Sequence, residues 1–364
     1  MTDDRARLDG RRLVLRADAT TESGTGHMMR TLALAQAWID AGGRGRWFVA
    51  DAPPALLERI GAEGVEVVRI DAPAGSREDA AMLRAALVDD PKAVAVVDGT
   101  QFDDAYLAEL GETGRQVMFV DDSAGRSGYP IGLVLNQNAH ADPADYPEDG
   151  TTRFLLGTRY VLLRREFRAA PPPRTTPPVA RHLLVTFGGA DPTGMTRRTI
   201  DVLRRLPATT RREIEVQLIV GSANADGTEI EAAAADPGLG FTAVVDRAVR
   251  DMPARMAWAD LAITSGGSTV WELARMGCPA LVVETVPVER LLVAGLVKVG
   301  LFGHLGPGAT LDDSRMTDAI AAKAEDVAWR TKMSARGMRL IDGTGARRVV
   351  DALAELSLSS KEPT

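Results

Sequence analysis

One cysteine in 364 residues, Cys278, has no partner to oxidise with, which excludes an intrachain disulfide and a thiolate metal cluster and fits a reducing compartment. Histidine is scarce too, with four residues at 27, 140, 182 and 304. No stretch approaches the roughly 20 apolar residues that span a bilayer. The opening "MTDDRARLDGRR" lacks the apolar core of a signal peptide, so a cytoplasmic protein is expected. Positive charge is in deficit: the formal charge of −7 argues against a broad nucleic-acid-binding face, though not against a local basic pocket. Low-complexity tracts and short-period repeats are absent as well. What is present is ordinary globular material, 45% hydrophobic and 26% charged, and its length suggests two domains.

The proline-rich "AAPPPRTTPP", 169–178, is the natural linker, because proline rings stiffen the chain and remove backbone donors. The expected division is an N-terminal domain over 1–170, a linker over 171–178, a C-terminal domain over 179–344, and a last helical stretch, 345–364, packing back on the first domain. On both sides short apolar runs alternate with amphipathic helical stretches. In the first half they are "LVLRA", "RWFVA", "VEVVRI", "AVAVVD", "QVMFVD" and "LVLNQ"; in the second, "HLLVTFGG", "EVQLIVG", "FTAVVD", "LAITSGG" and "ALVVE". Such alternation implies parallel sheets covered by helices on both faces. The expected class is α/β, with two Rossmann-like domains facing across a cleft.

Three strand-to-helix junctions are rich in glycine: "SGTGHMMR" (23–30), "FGGADPTG" (187–194) and "SGGSTVWELARMGCP" (265–279). Ligands of doubly wound sheets sit outside the carboxyl ends of the strands, where these loops lie. Glycine permits unusual backbone angles and close approach, and a following helix offers free N–H groups to phosphate. None of the three completes the dinucleotide fingerprint or ends in the Walker lysine and serine. Together they favour a nucleotide site over mere turns. In the third, Ser268 or Thr269 with Glu272 reads equally as a capping box or as a carboxylate for ribose hydroxyls.

The stretch "AVVDRAVRDMPARMAWADLAITSGGSTVWELARMGCPALVV" resembles the nucleotide-binding half of GT-B glycosyltransferases, especially the peptidoglycan N-acetylglucosaminyltransferase group. The blocks "RADATTESGTGHMMRTLALA", "FVDDSAGR", "LVLNQNAHADPADY", "LLGTRYVLLRREF" and "LLVTFGGADP" are similar to the nucleotide-sugar hydrolase of pseudaminic acid biosynthesis and its spore-coat-polysaccharide relatives. The resemblance implies the GT-B fold and a UDP-sugar. It implies that backbone at Ala248 and Val249 meets uracil, that Gly266, Gly267, Ser268 and Thr269 beside Ser265 meet the diphosphate, and that Glu272 meets the ribose. It makes His27 the catalytic base, a role that a helix N-terminus supports by disfavouring imidazolium. Gly24, Gly26, Gly188 and Gly189 join the nucleotide-sugar-binding set, with Asp98, Asp122, Val288 and Glu289 as sugar or acceptor contacts.

The chain also departs from these families. Gly99 and Thr100 stand where the hydrolase has a serine and a functional tyrosine, and Val288 and Glu289 stand where it has a functional asparagine beside a glutamine. Leu291 and Leu292 replace the paired glutamines that read the donor sugar in the peptidoglycan enzyme. These losses tip the expectation towards transfer of a glycosyl group to an acceptor, with inversion. Hydrolysis of the UDP-sugar comes next, and non-catalytic binding third. No cofactor beyond the donor is expected. The Asp121–Asp122 pair looks like a metal ligand set, but strand-end aspartates commonly cap loops, and the resemblance implies helix dipoles rather than an obligatory metal at the departing diphosphate. His140, His182 and His304 read as loop or boundary residues and Cys278 as a small buried hydrophobe. The basic "RTKMSARGMRL" reads as a solvated helix face. The expected partners are a donor and an acceptor, with no nucleic acid and no integral membrane association.

Overall fold

Runs of valine, leucine and alanine only four to six residues long are too short for stable helices, and they pair instead into two parallel sheets. The computed structural model describes residues 8–359 except 21–23, 149, 222, 248 and 250, and side chains as far as 355. The first sheet contains β1 (Arg12–Arg16), β2 (Arg44–Val49), β3 (Glu66–Arg69), β4 (Val94–Asp98), β5 (Gln116–Val120), β6 (Leu133–Asn136) and β7 (Arg153–Leu156). Its spatial order is β3-β2-β1-β4-β5-β6-β7. The second contains β8 (His182–Thr186), β9 (Glu215–Val220), β10 (Thr242–Arg247), β11 (Leu261–Ser265), β12 (Ala280–Glu284) and β13 (Gly303–Pro307), in the order β10-β9-β8-β11-β12-β13. Central strands such as β4 and β11 are buried along their whole length, because helices cover both faces.

The strand order reverses between β1 and β4 in the first sheet and between β8 and β11 in the second. At such a reversal the flanking helices leave on opposite faces, which opens a crevice at the carboxyl ends. Two edge strands, β7 and β13, were not expected from the sequence. Both are short, and the glycines, histidine and proline of "GHLGP" carry little strand propensity; pairing with β6 and β12 imposes the extended form.

The chain divides into two compact units: the first runs to Arg168 and takes back the segment from Gly343, and the second is Ala169–Asp342. The helix Gly345–Ser359 buries Ala346, Val349, Val350 and Leu353 in the same core as Met28, Leu32 and Ala35 of the helix Gly26–Asp40. Glycine is needed where that last helix starts, since a Cβ on Gly345 would lie 2.2 Å from the Val161 carbonyl oxygen. The proline-rich segment belongs to the second unit and is strapped down: Arg174 Nη1 donates to the Met256 carbonyl at 3.0 Å, and Arg330 Nη2 donates to the carbonyls of Pro177 at 2.8 Å and Pro178 at 3.0 Å. Arg330 corrects the reading of its stretch as a solvated face, because its side chain is fully buried.

A buried ion network fixes the end of β1. The Arg16 guanidinium lies 2.9 Å from Asp79 and 2.7 Å from Asp18, and Tyr106 donates to Asp79 at 3.0 Å. Asp18 in turn accepts the Ala50 amide at 2.8 Å, which ties the loop leaving β1 to the loop leaving β2. Deleting the buried contacts of the last helix should show how far the first unit depends on it. Leu353→Ala is expected to destabilise the protein by about 2–5 kcal/mol. Chemical denaturation measures this, and a loss well under 1 kcal/mol would mean that the helix packs only loosely.

Candidate active site

The first crevice is built from the "GTGHMMRT" string. Gly24 sits at φ +66, a left-handed conformation that favours glycine, so the turn after β1 pivots there. Gly26 is already the first residue of the helix Gly26–Asp40 and has ordinary helical backbone. His27 follows as the second helical residue, with no acidic side chain in the first turn and no side-chain cap from Thr25. Its imidazole is 19% exposed, and its Nδ1 lies 2.7 Å from Oδ1 of Asp98, the last residue of β4. The pair therefore spans the point of strand reversal.

Asp98 is fully buried and its oxygens are fully engaged. Oδ1 also accepts Arg30 Nη2 at 2.6 Å, while Oδ2 accepts Arg30 Nε at 2.7 Å and the Thr31 hydroxyl at 2.9 Å. Arg30 reaches on to Asp122, with Nη1 and Nη2 at 2.7 and 2.8 Å from its two oxygens. Asn138 Nδ2 donates to Asp122 Oδ1 at 2.7 Å. Burial alone would raise the pKa of Asp98, but the Arg30 guanidinium and the His27 imidazole outweigh it and hold the carboxyl well below its usual range. Asp122 is lowered in the same way, with burial opposing and Arg30 prevailing. An ionised carboxylate can only accept, so the histidine atom facing Asp98 is Nδ1–H, and in neutral imidazole Nε2 is then the free base.

Asp98, expected among the sugar or acceptor contacts, holds the histidine instead, since none of its surface is exposed. Asp122 keeps 21% of its side chain exposed beside Arg30. Asp121 caps its own loop, accepting the Ser123 amide at 3.0 Å and the Tyr129 hydroxyl at 2.5 Å. Among the described residues no three His, Cys, Asp or Glu side chains are gathered as metal ligands would be. Arg30, Thr31 and Asn138 were missed from the sequence. Arg30 and Thr31 stand three and four positions beyond His27 and so share its helix face, a signal that was available.

In the second unit the loops after β8, β10, β11 and β12 all leave the carboxyl end of the same parallel sheet. Gly188, at φ +77, and Gly189 are half-buried, and Gly189 packs so closely on Gly221 that a Cβ on the latter would lie 2.3 Å from the Gly189 carbonyl oxygen. The helix beyond this loop is not open to an anion: Asp191 accepts the amides of Met195 at 2.9 Å and Thr196 at 2.8 Å. The loop after β11 differs. Ser265 and Gly266 are buried, whereas Gly267, Ser268 and Thr269 are half-buried, and the Ser268 side chain makes no cap. The serine half of the expected capping box is therefore not formed. Glu272 is half-buried in the first turn of the helix Thr269–Arg275. Val249, after β10, is half-buried, and Ala248 lies outside the described residues.

Val288 is 64% exposed, but Glu289 is buried and turned to its own chain. Its Oε2 accepts the Thr285 amide at 2.7 Å and the Thr285 hydroxyl at 3.0 Å, and the carboxylate also accepts the Gly266 amide. Burial raises its pKa, and these amide bonds only partly offset the rise. Gly266 must be glycine, because a Cβ would lie 2.4 Å from Val293 Cγ2. Glu289 thus braces the glycine loop. Elsewhere, Cys278 is buried and its thiol is pushed up to about 11 by desolvation. His182 stacks on Trp258, and His304 Nε2 lies 2.8 Å from Glu284 Oε1.

The chain aligns over nearly its whole length with solved structures of two-domain α/β proteins. MurG of Acinetobacter baumannii aligns with a TM-score of 0.63 at 16% identity, covering 95% of this chain and 99% of its own. The chain has the GT-B fold. Anabaena HepE, solved in complex with UDP and glucose, aligns at 0.59 and 12% identity over 96% of this chain and 100% of its own. Residues 183–288 match the glycosyltransferase family 28 C-terminal domain. The Bacillus subtilis spore coat polysaccharide biosynthesis protein SpsG is 24% identical over 67% of this chain and 71% of its own. An uncharacterized protein of Methanocaldococcus jannaschii is 20% identical over 81% of this chain, which spans 60% of that relative's length. No helix among the described residues is long and apolar enough to cross a membrane.

The lowered pKa of Asp98 carries a pH signature. A carboxyl whose folded pKa lies below its unfolded value of about 3.9 adds stability above that value and loses it as pH falls. The stability advantage of wild type over Asp98→Asn is therefore expected to be full near pH 6 and to shrink steadily towards pH 3. Urea melts across that range measure it, and a difference that stays constant would show that Asp98 is not held ionised by its partners.

Proposed function

We propose that the chain is a glycosyltransferase that moves a glycosyl group, with inversion, from a UDP-sugar to a small-molecule or glycan acceptor. The observation that carries this reading is the histidine–carboxylate pair at the strand reversal of the first sheet, His27 Nδ1 at 2.7 Å from Asp98. In the second unit the family 28 match covers the glycine loop after β11, and a GT-B neighbour is known with UDP bound.

In this reading Nε2 of His27 takes the proton of an acceptor hydroxyl as its oxygen attacks the anomeric carbon. The bond from that carbon to the diphosphate oxygen breaks, and its electron pair leaves with UDP. Asp98 stabilises the imidazolium that forms and keeps the ring from rotating. Backbone at Gly267, Ser268 and Thr269 receives the diphosphate. Gly266, expected from the sequence to join them, is buried with its amide given to Glu289 and fixes the loop from beneath together with Ser265. Gly24, Gly26, Gly188 and Gly189 allow the donor to approach the backbone, Glu272 accepts from the ribose hydroxyls, and the segment at Ala248 and Val249 meets the base. Donor and acceptor are the only partners the reading needs, and no cofactor is invoked.

The test is release of UDP from a panel of UDP-sugars, with and without acceptors from a cell extract. Release that depends on acceptor is expected, and release without it would assign the chemistry to hydrolysis. His27→Ala should keep UDP affinity by calorimetry while turnover falls about 10²–10⁴-fold, the usual value of a positioned general base. Near-normal turnover in the folded variant would overturn the assignment.

A further inference from the structure

The planar guanidinium of Arg30 is engaged on two of its edges. Nε and Nη2 make the edge that meets Asp98, at 2.7 Å from Oδ2 and 2.6 Å from Oδ1. Nη1 and Nη2 make the edge that meets Asp122, at 2.7 Å from Oδ1 and 2.8 Å from Oδ2. Each edge is a two-bond fork, and a fork resists the turning of a carboxylate that a single bond allows. Two forks on one rigid plane therefore hold Asp98 and Asp122 in a fixed relation. Lysine, a point charge on a flexible stem, could attract both but could not orient either.

Asp98 ends β4, Asp122 follows β5 and Asn138 follows β6, and these strands are neighbours in the sheet. The hydrogen bonds run along that order. Asn138 Nδ2 donates to Asp122 Oδ1 at 2.7 Å, Asp122 holds Arg30, Arg30 holds Asp98, and Asp98 holds His27. An ionised carboxylate has about four lone-pair sites. At Asp98 two of them go to Arg30, one to the Thr31 hydroxyl at 2.9 Å, and the last to His27 Nδ1 at 2.7 Å. Water competes little for these bonds, since Asp98 has no exposed surface and Arg30 is 7% exposed. The direction in which Asp98 offers its last site to the histidine is therefore set by the Arg30 fork, and Asp122 sets the fork in turn.

We propose that Arg30 and Asp122 are positioning residues for the glycosyl transfer, acting on His27 through the carboxylate of Asp98. This gives Asp122 a different task from the sugar or acceptor contact expected of it from the sequence. With the string intact the imidazole keeps one orientation, and Nε2 points where the acceptor proton arrives. With it loosened, the ring pivots on Asp98 and Nε2 swings away, and a misplacement of about 1 Å costs on the order of 10²-fold in rate. The proposal rests on the reading of His27 as the base, but the hold on the ring is measurable without turnover.

The test compares Arg30→Lys, which keeps the charge and loses the forks, with Asp122→Asn, a milder change at the partly exposed end of the string. Both are assayed well below their melting temperatures. UDP affinity by calorimetry is expected to stay at the wild-type value. Turnover should fall about 10²-fold in Arg30→Lys and by less in Asp122→Asn. In the ligand-free variants the ¹⁵N shifts of His27 Nδ1 and Nε2 should draw together as the ring samples both tautomers. One readout needs no variant to fold: in wild type Nη1 and Nη2 of Arg30 should give separate ¹⁵N resonances, because the forks must break before the guanidinium rotates. A single averaged Nη resonance, a wild-type His27 pattern in both folded variants, or near-wild-type turnover beside a lowered melting temperature would overturn the proposal. The last of these would leave Arg30 a merely structural ion pair. Absence of turnover in wild type on every donor would refute glycosyl transfer, and the proposed role in that reaction with it, while the ¹⁵N readouts would still show whether the string holds the ring.

Discussion

Arg30 is the residue on which the first crevice depends. Its guanidinium is almost wholly buried between two carboxylates that arrive from different strands, Asp98 at the end of β4 and Asp122 just beyond β5. Through them it fixes the start of the helix Gly26–Asp40, the His27 ring and, by way of Asn138, the loop after β6. Taking any one of these charges away would leave its partners buried and uncompensated, which typically costs about 3–5 kcal/mol. The same low-dielectric setting makes the network directional. Asp98 accepts from both Arg30 and His27 at its Oδ1, so the histidine is held in one tautomer.

The second unit solves a different problem with glycine. Two glycine-rich loops flank its strand reversal, yet only one leaves its backbone open. The loop after β8 is closed on itself by Asp191, which occupies the amides that begin the next helix. The loop after β11 has no such internal cap from Ser268, and Glu289 holds it from below, where Val293 leaves no room for a side chain on Gly266. Sequence spacing treats the two loops alike. The difference lies in one aspartate four residues before Met195, at a left-handed φ of +46.

Much of the architecture was legible because it depends on local pattern. Eleven of the strand segments are apolar runs bounded by turn residues. The strands that escaped, β7 and β13, are edges whose form comes from a neighbour rather than from their own residues. In the site, His27 stood out because it directly follows two glycines at a strand-to-helix junction. Asp98 was visible but was given a surface role, since burial depends on distant packing that spacing does not reveal. Arg30, Thr31 and Asn138 escaped for the same reason: arginine, threonine and asparagine on a helix or loop read as solvent-facing until a carboxylate 16 to 92 positions away proves to be their partner.

The most direct measurement is the tautomer of His27 by ¹⁵N NMR of the imidazole in the ligand-free protein near neutral pH. The Asp98 carboxylate at 2.7 Å requires the proton on Nδ1 and leaves Nε2 as the bare nitrogen. A protonated-type shift at Nδ1 with an unprotonated shift at Nε2, the pattern being lost in Asp98→Asn, is the predicted result. The proton on Nε2 instead, or a pattern unchanged by Asp98→Asn, would contradict it, because the base proposed to take the acceptor proton would then be the wrong atom or held by something else.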